Sequence, residues 1–315
     1  MTVVVAPERP SLLGPALIAG GMTFVGFIDN LVRVVSDSMH VWQFHLLRSA
    51  AALALILAWL AARGALGRLG ARRPWAVALR SAVMTTSMML YYSALPVLPI
   101  AQVAAGMFTS PLWILAVSAL FLGERVGPRR VLAILAGFTG ALLILQPDAE
   151  GLNLAALMPL GGGALYGMTI LLTRRLCAEE TTETIVVGGF LGYGAAGALG
   201  SAALALWPAP PGLVALAPFV FAPWGALDAT LILWIGFFAL GAAAALAVVT
   251  RGYQITESAS AALYDYAFIV SAGLFGWILW GQTLDALALA GVALVMAAGG
   301  FLALAPGRRP AGAAR

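Results

Sequence analysis

The chain contains ten apolar runs in succession, each long enough to cross a lipid bilayer. The runs cover residues 12–33, 40–62, 75–97, 100–122, 128–146, 153–173, 184–207, 227–250, 257–280 and 284–304. About 20 residues of helix cross a hydrocarbon core of about 30 Å, and in segments of this length only a helix satisfies its own backbone hydrogen bonds. Charged residues make up 10% of the 315 residues, which is too few to cover a soluble protein of this size. The sequence therefore predicts an all-α integral membrane protein with ten transmembrane helices.

Arginine supplies all 17 basic residues, and it lies mainly in alternate joins between the runs. Fourteen of the 17 lie after runs 2, 4, 6 and 8 or in the terminal segments, whereas the other joins are mainly acidic. Because short cytoplasmic loops are enriched in arginine, we expect both termini in the cytoplasm and multi-pass insertion in a bacterial-type inner membrane. Topology thus explains the basic residues, and we expect no nucleic-acid partner.

The residue types that are missing exclude several kinds of site. Without lysine the chain has neither a P-loop nor a Schiff-base lysine. One cysteine and two histidines are too few for a structural zinc site, and we expect neither a metal nor a cofactor. Gly161, Gly162, Gly163 and Gly167 in run 6 predict close helix packing instead of phosphate binding.

The two halves of the chain resemble each other at an offset of 158 residues. Residues 259–262 (ASAA) then align with 101–104 (AQVA), and 281–282 (GQ) with 123–124 (GE). The arginine-rich join after run 4 matches an arginine-free join after run 9, so matching segments face opposite sides. The sequence predicts two inverted five-helix repeats, residues 1–150 and 151–315, the second ending in a short cytoplasmic tail. Inverted repeats are typical of secondary transporters, whose substrate site lies near the midplane.

These halves resemble the two copies of an EamA domain, the unit of the drug/metabolite transporter superfamily. The most specific features are Pro111 in TSPLW, the LGER box at 122–125 and Arg48 in the second run. The resemblance covers about residues 11–304 and implies ten helices in two inverted halves and secondary transport of small organic solutes, often as export. The second half departs from the family pattern at Ile269, where proline is usual, and at Gln282, where glutamate is usual.

Asp265 is an acidic residue inside run 9, between Tyr264 and Tyr266. Eight residues into a helix, it would lie about 12 Å below the cytoplasmic end. Intramembrane carboxylates are rare, so we expect Asp265 to bind a substrate ammonium group or a coupling proton, or to form a buried pair with an arginine. Arg48 lies at a similar depth from the opposite side, where it could bind a substrate carboxylate or pair with Asp265 or Asp29.

Other polar side chains in the runs are candidates for lining a shared water-filled cavity. His45 lies one turn from Arg48 and on the same helix face. The end of run 1 forms either a solvated vestibule rim or an outer gate, where Asp29 and Arg33 are spaced to pair. The candidate substrate-binding residues are Asp265, Arg48, Tyr264, Tyr266, His45, Tyr92, Tyr166 and Trp113, and the candidate gate or vestibule residues are Asp29, Asn30 and Arg33.

The sequence favours a secondary active transporter that moves a small organic metabolite across the inner membrane by alternating access. An amino acid, or a related zwitterion or cation, is the favoured solute. The expected partners are this solute and membrane lipid, with a coupling proton and a second copy in a homodimer as further candidates. A lipid or lysolipid flippase of the same fold is the alternative. An intramembrane aspartyl hydrolase is disfavoured because the second aspartate of its dyad is missing.

Cysteine labelling tests the topology. With Cys177 replaced by serine, Asp148→Cys should react with a membrane-impermeant maleimide added from outside, because its join is predicted to face outward. Arg129→Cys should react only when the cytoplasmic side is made accessible. The reverse pattern at either position would contradict the inverted arrangement of the two halves.

Overall fold

A computed structural model describes residues 12–121, 127–145, 154–255 and 264–304, which are helical and contain no strand. Each of the ten predicted runs contains helix within these residues. The helices in chain order are α1 Leu13–Ser36, α2 Val41–Ala62, a 3-10 turn Leu66–Leu69, α3 Pro74–Ala94, α4 Ile100–Met107, α5 Ser110–Phe121, α6 Pro128–Leu145, α7 Leu154–Leu176, α8 Thr182–Leu206, α9 Pro211–Leu216, α10 Pro218–Phe221, α11 Ala229–Ile255, α12 Ala267–Trp280 and α13 Ala286–Leu304.

The molecule exposes apolar side chains and buries polar ones. Leu199 and Leu233 are more than two-thirds exposed, whereas Arg48 and His45 are buried. A soluble monomer rarely exposes large apolar surfaces. Five segments of the described chain are long and apolar enough to cross a membrane: Leu13–Ser36, Val41–Ala62, Ile100–Val117, Thr182–Leu206 and Ala229–Val249. The expectation of an all-helical membrane protein is therefore confirmed.

Helices far apart in sequence form the main packing pairs. Helix α1 packs against α11 and α12, α2 against α8 and α11, and α3 against α7 and α8. Helix α4 packs against α7 and α12, and α6 against α13. The largest cluster of buried apolar side chains includes Ile28 of α1, Phe44 of α2 and Phe238 of α11. Tyr91 and Tyr92 of α3 belong to the same cluster, so side chains of α1, α2, α3 and α11 meet in the interior of the molecule.

Glycines of α7 let its backbone approach α3 and α4 closely. Gly163 lies against the Gly106 carbonyl, where an added Cβ would overlap that oxygen and lie 2.8 Å from the Thr109 Oγ1. The Ser87 hydroxyl of α3 donates a hydrogen bond to the Gly162 carbonyl at 2.7 Å. The predicted role of these glycines in close helix packing is confirmed.

Run 4 is interrupted and is not a single helix. Helix α4 ends at Met107 and α5 begins at Ser110, with Phe108 and Thr109 between them. Pro111 lies in the first turn of α5, where its missing N–H costs no intrahelical hydrogen bond. The Thr109 hydroxyl donates to the Gly106 carbonyl at 2.6 Å, which satisfies a carbonyl at the end of α4.

Run 9 is interrupted as well, at the acidic residue that the sequence placed inside a helix. Asp265 and Tyr266 form a turn, and α12 begins at Ala267, so the prediction of one helix over 257–280 is wrong at this point. Residues 256–263 lie outside the described chain. The ring of Phe108 lies 5.3 Å from that of Tyr266 and 5.9 Å from that of Phe268, measured between centroids. The two interruptions therefore pack against each other.

Two glycine substitutions test the packing. Gly163→Leu should lower the stability of the protein by about 1–3 kcal/mol or more, because its side chain must displace the backbone of α4. Gly236→Leu is the matched control, since Gly236 is also inside a helix but has open space around it. Thermal unfolding in detergent should show a lower midpoint for Gly163→Leu alone. Equal midpoints for the two variants would contradict the close approach of α4 and α7.

Candidate functional site

Arg48 lies on α2 with its guanidinium buried among aromatic rings. Its Nη1 donates a hydrogen bond to the Tyr92 hydroxyl at 2.8 Å. The guanidinium carbon lies 4.8 Å from the ring centre of Tyr92 and 5.1 Å from that of Phe44. Ring faces and a hydroxyl partly compensate a positive charge that is kept away from water. Each cation–π contact contributes about 2 kcal/mol when it is desolvated.

His45 is one turn before Arg48 and is fully buried beside it. Its Nδ1 lies 3.4 Å from Arg48 Nη2, and its ring lies 4.8 Å from the ring of Tyr92 and 5.7 Å from that of Tyr193. His45 Nε2 and Arg48 Nε are both buried without a hydrogen-bond partner in the protein. Buried polar atoms normally have hydrogen-bond partners. Two nitrogens without such a partner in one cluster therefore indicate a place where a ligand could bind.

Asp29 belongs to the same cluster. Its carboxylate accepts hydrogen bonds from the Tyr91 hydroxyl at 2.7 Å and from the Tyr92 hydroxyl at 3.3 Å. The Tyr92 hydroxyl therefore connects Asp29 to Arg48, which also lies within electrostatic reach of the carboxylate. The solvated rim considered for Asp29 is wrong, because the side chain is buried and points to α3 instead of pairing with Arg33. We call Asp29, His45, Arg48, Tyr91 and Tyr92 the outer cluster, because the distribution of arginines predicts that the end of α1 and the start of α2 face outward.

A second arginine, which the sequence analysis did not select, lies on α3 six residues from its start. Arg80 is partly buried, and its Nε donates to the Thr173 hydroxyl of α7 at 3.3 Å. Its signal in the sequence was the same as that of Arg48, an arginine inside an apolar run. The topology argument accounts for the arginines in the joins but not for Arg80.

Two tyrosines lie between the arginines. Tyr193 of α8, also not selected from the sequence, is within electrostatic reach of Arg48, Arg80 and Tyr166. Tyr166 of α7 is within reach of Arg80 and Asp265. Polar groups therefore extend from the outer cluster through the tyrosines to Arg80 and Asp265. We call this series the polar path.

The remaining candidates lie at the margins of the polar path. Tyr266 is buried, with its hydroxyl against Gly299, and it is within electrostatic reach of Asp265. Tyr264 is partly buried. Trp113 packs against Phe138 of α6 at 4.9 Å between ring centroids, and its Nε1 is buried without a hydrogen-bond partner. The structure thus packs Trp113 of α5 against α6.

The end of α1 is joined to the end of α12. Asn30 is buried, and its amide donates to the carbonyls of Gly26 at 2.8 Å and Ala272 at 3.1 Å. Trp280 donates from its indole N–H to the Asn30 carbonyl at 3.0 Å. Arg33 is exposed and lies over the Trp280 ring at 5.7 Å. The solvated rim is therefore wrong for Asn30, which is buried, whereas for the exposed Arg33 it stays a prediction.

Among the described residues, no group of three or more histidine, cysteine, aspartate or glutamate side chains is arranged to hold a metal ion. The polar path itself offers hydrogen-bonding groups, opposite charges and aromatic faces, which suit reversible binding of an organic solute.

Comparisons with known proteins agree with the fold. Residues 12–146 match the model of the EamA-like transporter family. A riboflavin transporter of Rhizobium johnstonii is 31% identical over 286 residues, which cover 89% of this chain and 89% of that protein. A riboflavin transporter of Vibrio cholerae is 29% identical over 70% of this chain and 68% of that protein. A pseudopaline exporter of Pseudomonas aeruginosa is 28% identical over 86% of this chain and 89% of that protein.

A protein of known crystal structure has the same fold. It superposes with a TM-score of 0.62 over 96% of this chain and 100% of that chain, at 20% sequence identity. Identity at this level shows likeness of fold alone.

Two tyrosine variants test the outer cluster. Tyr92→Phe removes the hydroxyl that both Arg48 and Asp29 use, so it should destabilise the protein by about 2–3 kcal/mol. Tyr91→Phe removes one hydrogen bond to Asp29 and should cost about 1–2 kcal/mol. Thermal unfolding of both variants in one detergent should show a lower midpoint for Tyr92→Phe than for Tyr91→Phe. A Tyr92→Phe protein as stable as wild type would show that its hydroxyl does not hold the cluster together.

Proposed function

The chain belongs to the EamA-like transporter family of the drug/metabolite transporter superfamily, and on this premise we propose that it is a secondary transporter working by alternating access. Relatives named as transporters and an exporter support membrane transport of a small metabolite and a non-enzymatic role. The proposed setting is a bacterial inner membrane with both termini in the cytoplasm, as the distribution of arginines indicates.

The proposed mechanism uses two inverted halves, residues 1–150 and 151–315. The helix contacts support this division when α1, α2, α3, α4 and α6 are matched with α7, α8, α11, α12 and α13. The α1–α11 contact then corresponds to α3–α7, the α1–α12 contact to α4–α7, and the α2–α11 contact to α3–α8. The α2–α8, α4–α12 and α6–α13 contacts correspond to themselves. A pseudo-two-fold axis would produce this pattern, and rocking about it would expose a central site to each side in turn.

The interrupted helices support the same mechanism. At the offset of 158 residues, Phe108 corresponds to Tyr266, and both lie in the interruption of their runs. Interrupted helices in corresponding positions of two repeats typically form the substrate site of a secondary transporter. The contact between the two rings brings the interruptions together, which supports a shared site between the proposed halves.

The solute that the site fits best is a flat, hydrogen-bonding molecule of the riboflavin class. Phe44, His45, Tyr92 and Tyr193 supply aromatic faces around the guanidinium of Arg48. Aromatic rings stack on a planar heterocycle, and unpartnered nitrogens can bond its carbonyl and ring nitrogen atoms. Relatives named riboflavin transporter favour this class. The single observation that carries the proposal is the unpartnered nitrogens of Arg48 and His45 among these rings.

A zwitterionic metabolite is the second candidate. Arg48 and Asp265 are opposite charges near the two ends of the polar path, where they could take a carboxylate and an ammonium group. A flippase of the same fold would need a lipid instead, so uptake of a water-soluble solute distinguishes the two functions.

We place the outer gate where α1 meets α12. The Trp280 indole bonded to the Asn30 carbonyl, with Arg33 stacked on the same ring, joins the ends of helices that belong to different halves. Gln282 adds a second link by accepting a hydrogen bond from the Ile100 N–H at 3.3 Å. Both links would have to break when the halves rock apart on this side.

Transport by proteoliposomes tests the function. Radiolabelled riboflavin should enter in a saturable manner, and unlabelled riboflavin trapped inside should accelerate its entry by exchange. Arg48→Gln should lower this uptake at least about tenfold, since a lost charge-assisted hydrogen bond is worth about 1.5–3 kcal/mol. Arg63→Gln is the matched control, because Arg63 is exposed and stacks on Trp59 at the end of the same helix.

The competing outcomes are distinct. Uptake of labelled amino acids without riboflavin would support the zwitterion and exclude the riboflavin class. Movement of labelled lysolipid without either solute would show a flippase. Full riboflavin uptake by Arg48→Gln would remove the outer cluster from the solute site.

A further inference from the structure

Asp29 is a buried carboxylate whose role the transport proposal leaves open. It lies on α1 seven residues before the helix ends, about 10 Å along the axis. Its side chain is 6% exposed, and both of its oxygens accept hydrogen bonds from the buried hydroxyls of Tyr91 and Tyr92. A carboxylate so far from water is expensive to keep charged, and such groups in membrane proteins commonly form proton pathways.

One cation compensates this carboxylate. Arg48 lies within electrostatic reach of Asp29, and its hydrogen-bonded link to Asp29 runs through the Tyr92 hydroxyl. The guanidinium and the carboxylate are therefore held apart by one shared hydroxyl. Any group that draws the guanidinium towards itself weakens the compensation of Asp29.

Within the part of the chain that the structure describes, the other elements around α1 bring no further charge to Asp29. The groups in its electrostatic surroundings are Arg48 from α2 and Tyr91 and Tyr92 from α3. Helix α12, which also packs on α1, has no titratable residue in its sequence. In α11 the charged residue Arg251 lies near the far end and is exposed, as is Asp228 just before the helix. Among the described residues, Arg48 is thus the cation that can compensate a charge on Asp29.

We propose that Asp29 binds the proton that couples transport, and that solute binding at Arg48 causes this proton to bind; the inference rests on the proposed function. When an acceptor oxygen of the solute engages the guanidinium, Tyr92 loses its donor and the carboxylate loses its counter-charge. A hydronium ion from the water then transfers its proton to a carboxylate oxygen: one O–H bond of hydronium breaks, one carboxyl O–H bond forms, and a water molecule is left. Linkage requires the reverse effect as well, so a proton on Asp29 strengthens solute binding. Solute and proton therefore move in the same direction.

Proton uptake on solute binding tests the inference. Purified wild-type protein in weakly buffered detergent should take up about one proton per riboflavin bound, read from a pH-sensitive dye whose spectrum is separate from that of riboflavin. The linkage of one solute to one site gives this stoichiometry. Asp29→Asn should still bind riboflavin, followed by quenching of its fluorescence, and should take up no proton.

Asp37→Asn is the control. It removes an exposed acid just after the same helix, so this variant should keep the proton uptake of wild type. Asp265→Asn tests the competing acid; because Asp265 belongs to the polar path, its proton uptake is compared per riboflavin bound, and about one proton per bound riboflavin is expected. Loss of uptake in Asp265→Asn with uptake retained in Asp29→Asn would assign the proton to Asp265 and overturn the inference. Riboflavin binding to wild type without proton uptake between pH 5 and 8 would overturn it while leaving the transport function intact.

Infrared pH-difference spectroscopy tests the site without any solute. The wild-type spectrum should contain the C=O band of a buried carboxyl group that titrates, and Tyr91→Phe should shift this band because one of its hydrogen bonds is gone. If Asp29→Asn fails to fold, the shift of the C=O band in Tyr91→Phe decides whether Asp29 is the carboxyl group that titrates. If riboflavin does not bind, the proposed solute fails, and an unshifted band in Tyr91→Phe would separately overturn the proton site.

Discussion

The compensation of Arg48 in the interior is the interaction on which the candidate site depends. A guanidinium in a low-dielectric environment requires partners that cannot be supplied by lipid. Phe44 and Tyr92 supply ring faces, and the Tyr92 hydroxyl connects the guanidinium to Asp29. These partners come from three helices, so α1, α2 and α3 must keep their mutual positions for the charge to remain buried. The same requirement concentrates polar groups where a solute could use them.

Close packing of small residues provides those positions. Without a hydrophobic force between helices in lipid, close approach of backbones and interhelical hydrogen bonds supply much of the association energy. Gly163 against the Gly106 carbonyl and Ser87 bonded to the Gly162 carbonyl fix α7 against α3 and α4. Tyr166 projects from this same helix into the polar path, so the packing that sets the fold also places a residue of the site.

Hydropathy predicted the helical class and the positions of the runs, because the length of a span and its apolar content are local properties. Arg48, His45 and Tyr92 were selected as rare polar groups in such runs, and the structure brings them together. The position of Asp29 near the end of α1 predicts a rim or a gate, but its burial depends on α3, which the local sequence does not reveal. The interruption of run 4 could be predicted from Pro111, which has no backbone N–H. The interruption of run 9 at Asp265 has no proline from which it could be predicted. Arg80 and Tyr193 become candidates for the site only because of the residues on the helices that pack against them.

A double-mutant cycle on Arg48 and Asp29 measures the central interaction directly. Arg48→Met and Asp29→Leu each leave one buried charge without its partner, so each should lower the unfolding free energy in detergent by about 3–5 kcal/mol. The double variant removes both charges and should be more stable than the sum of the single effects implies, by a coupling of about 1–3 kcal/mol. Additive effects would show that the two charges do not compensate each other, which would contradict the organisation of the site around this pair.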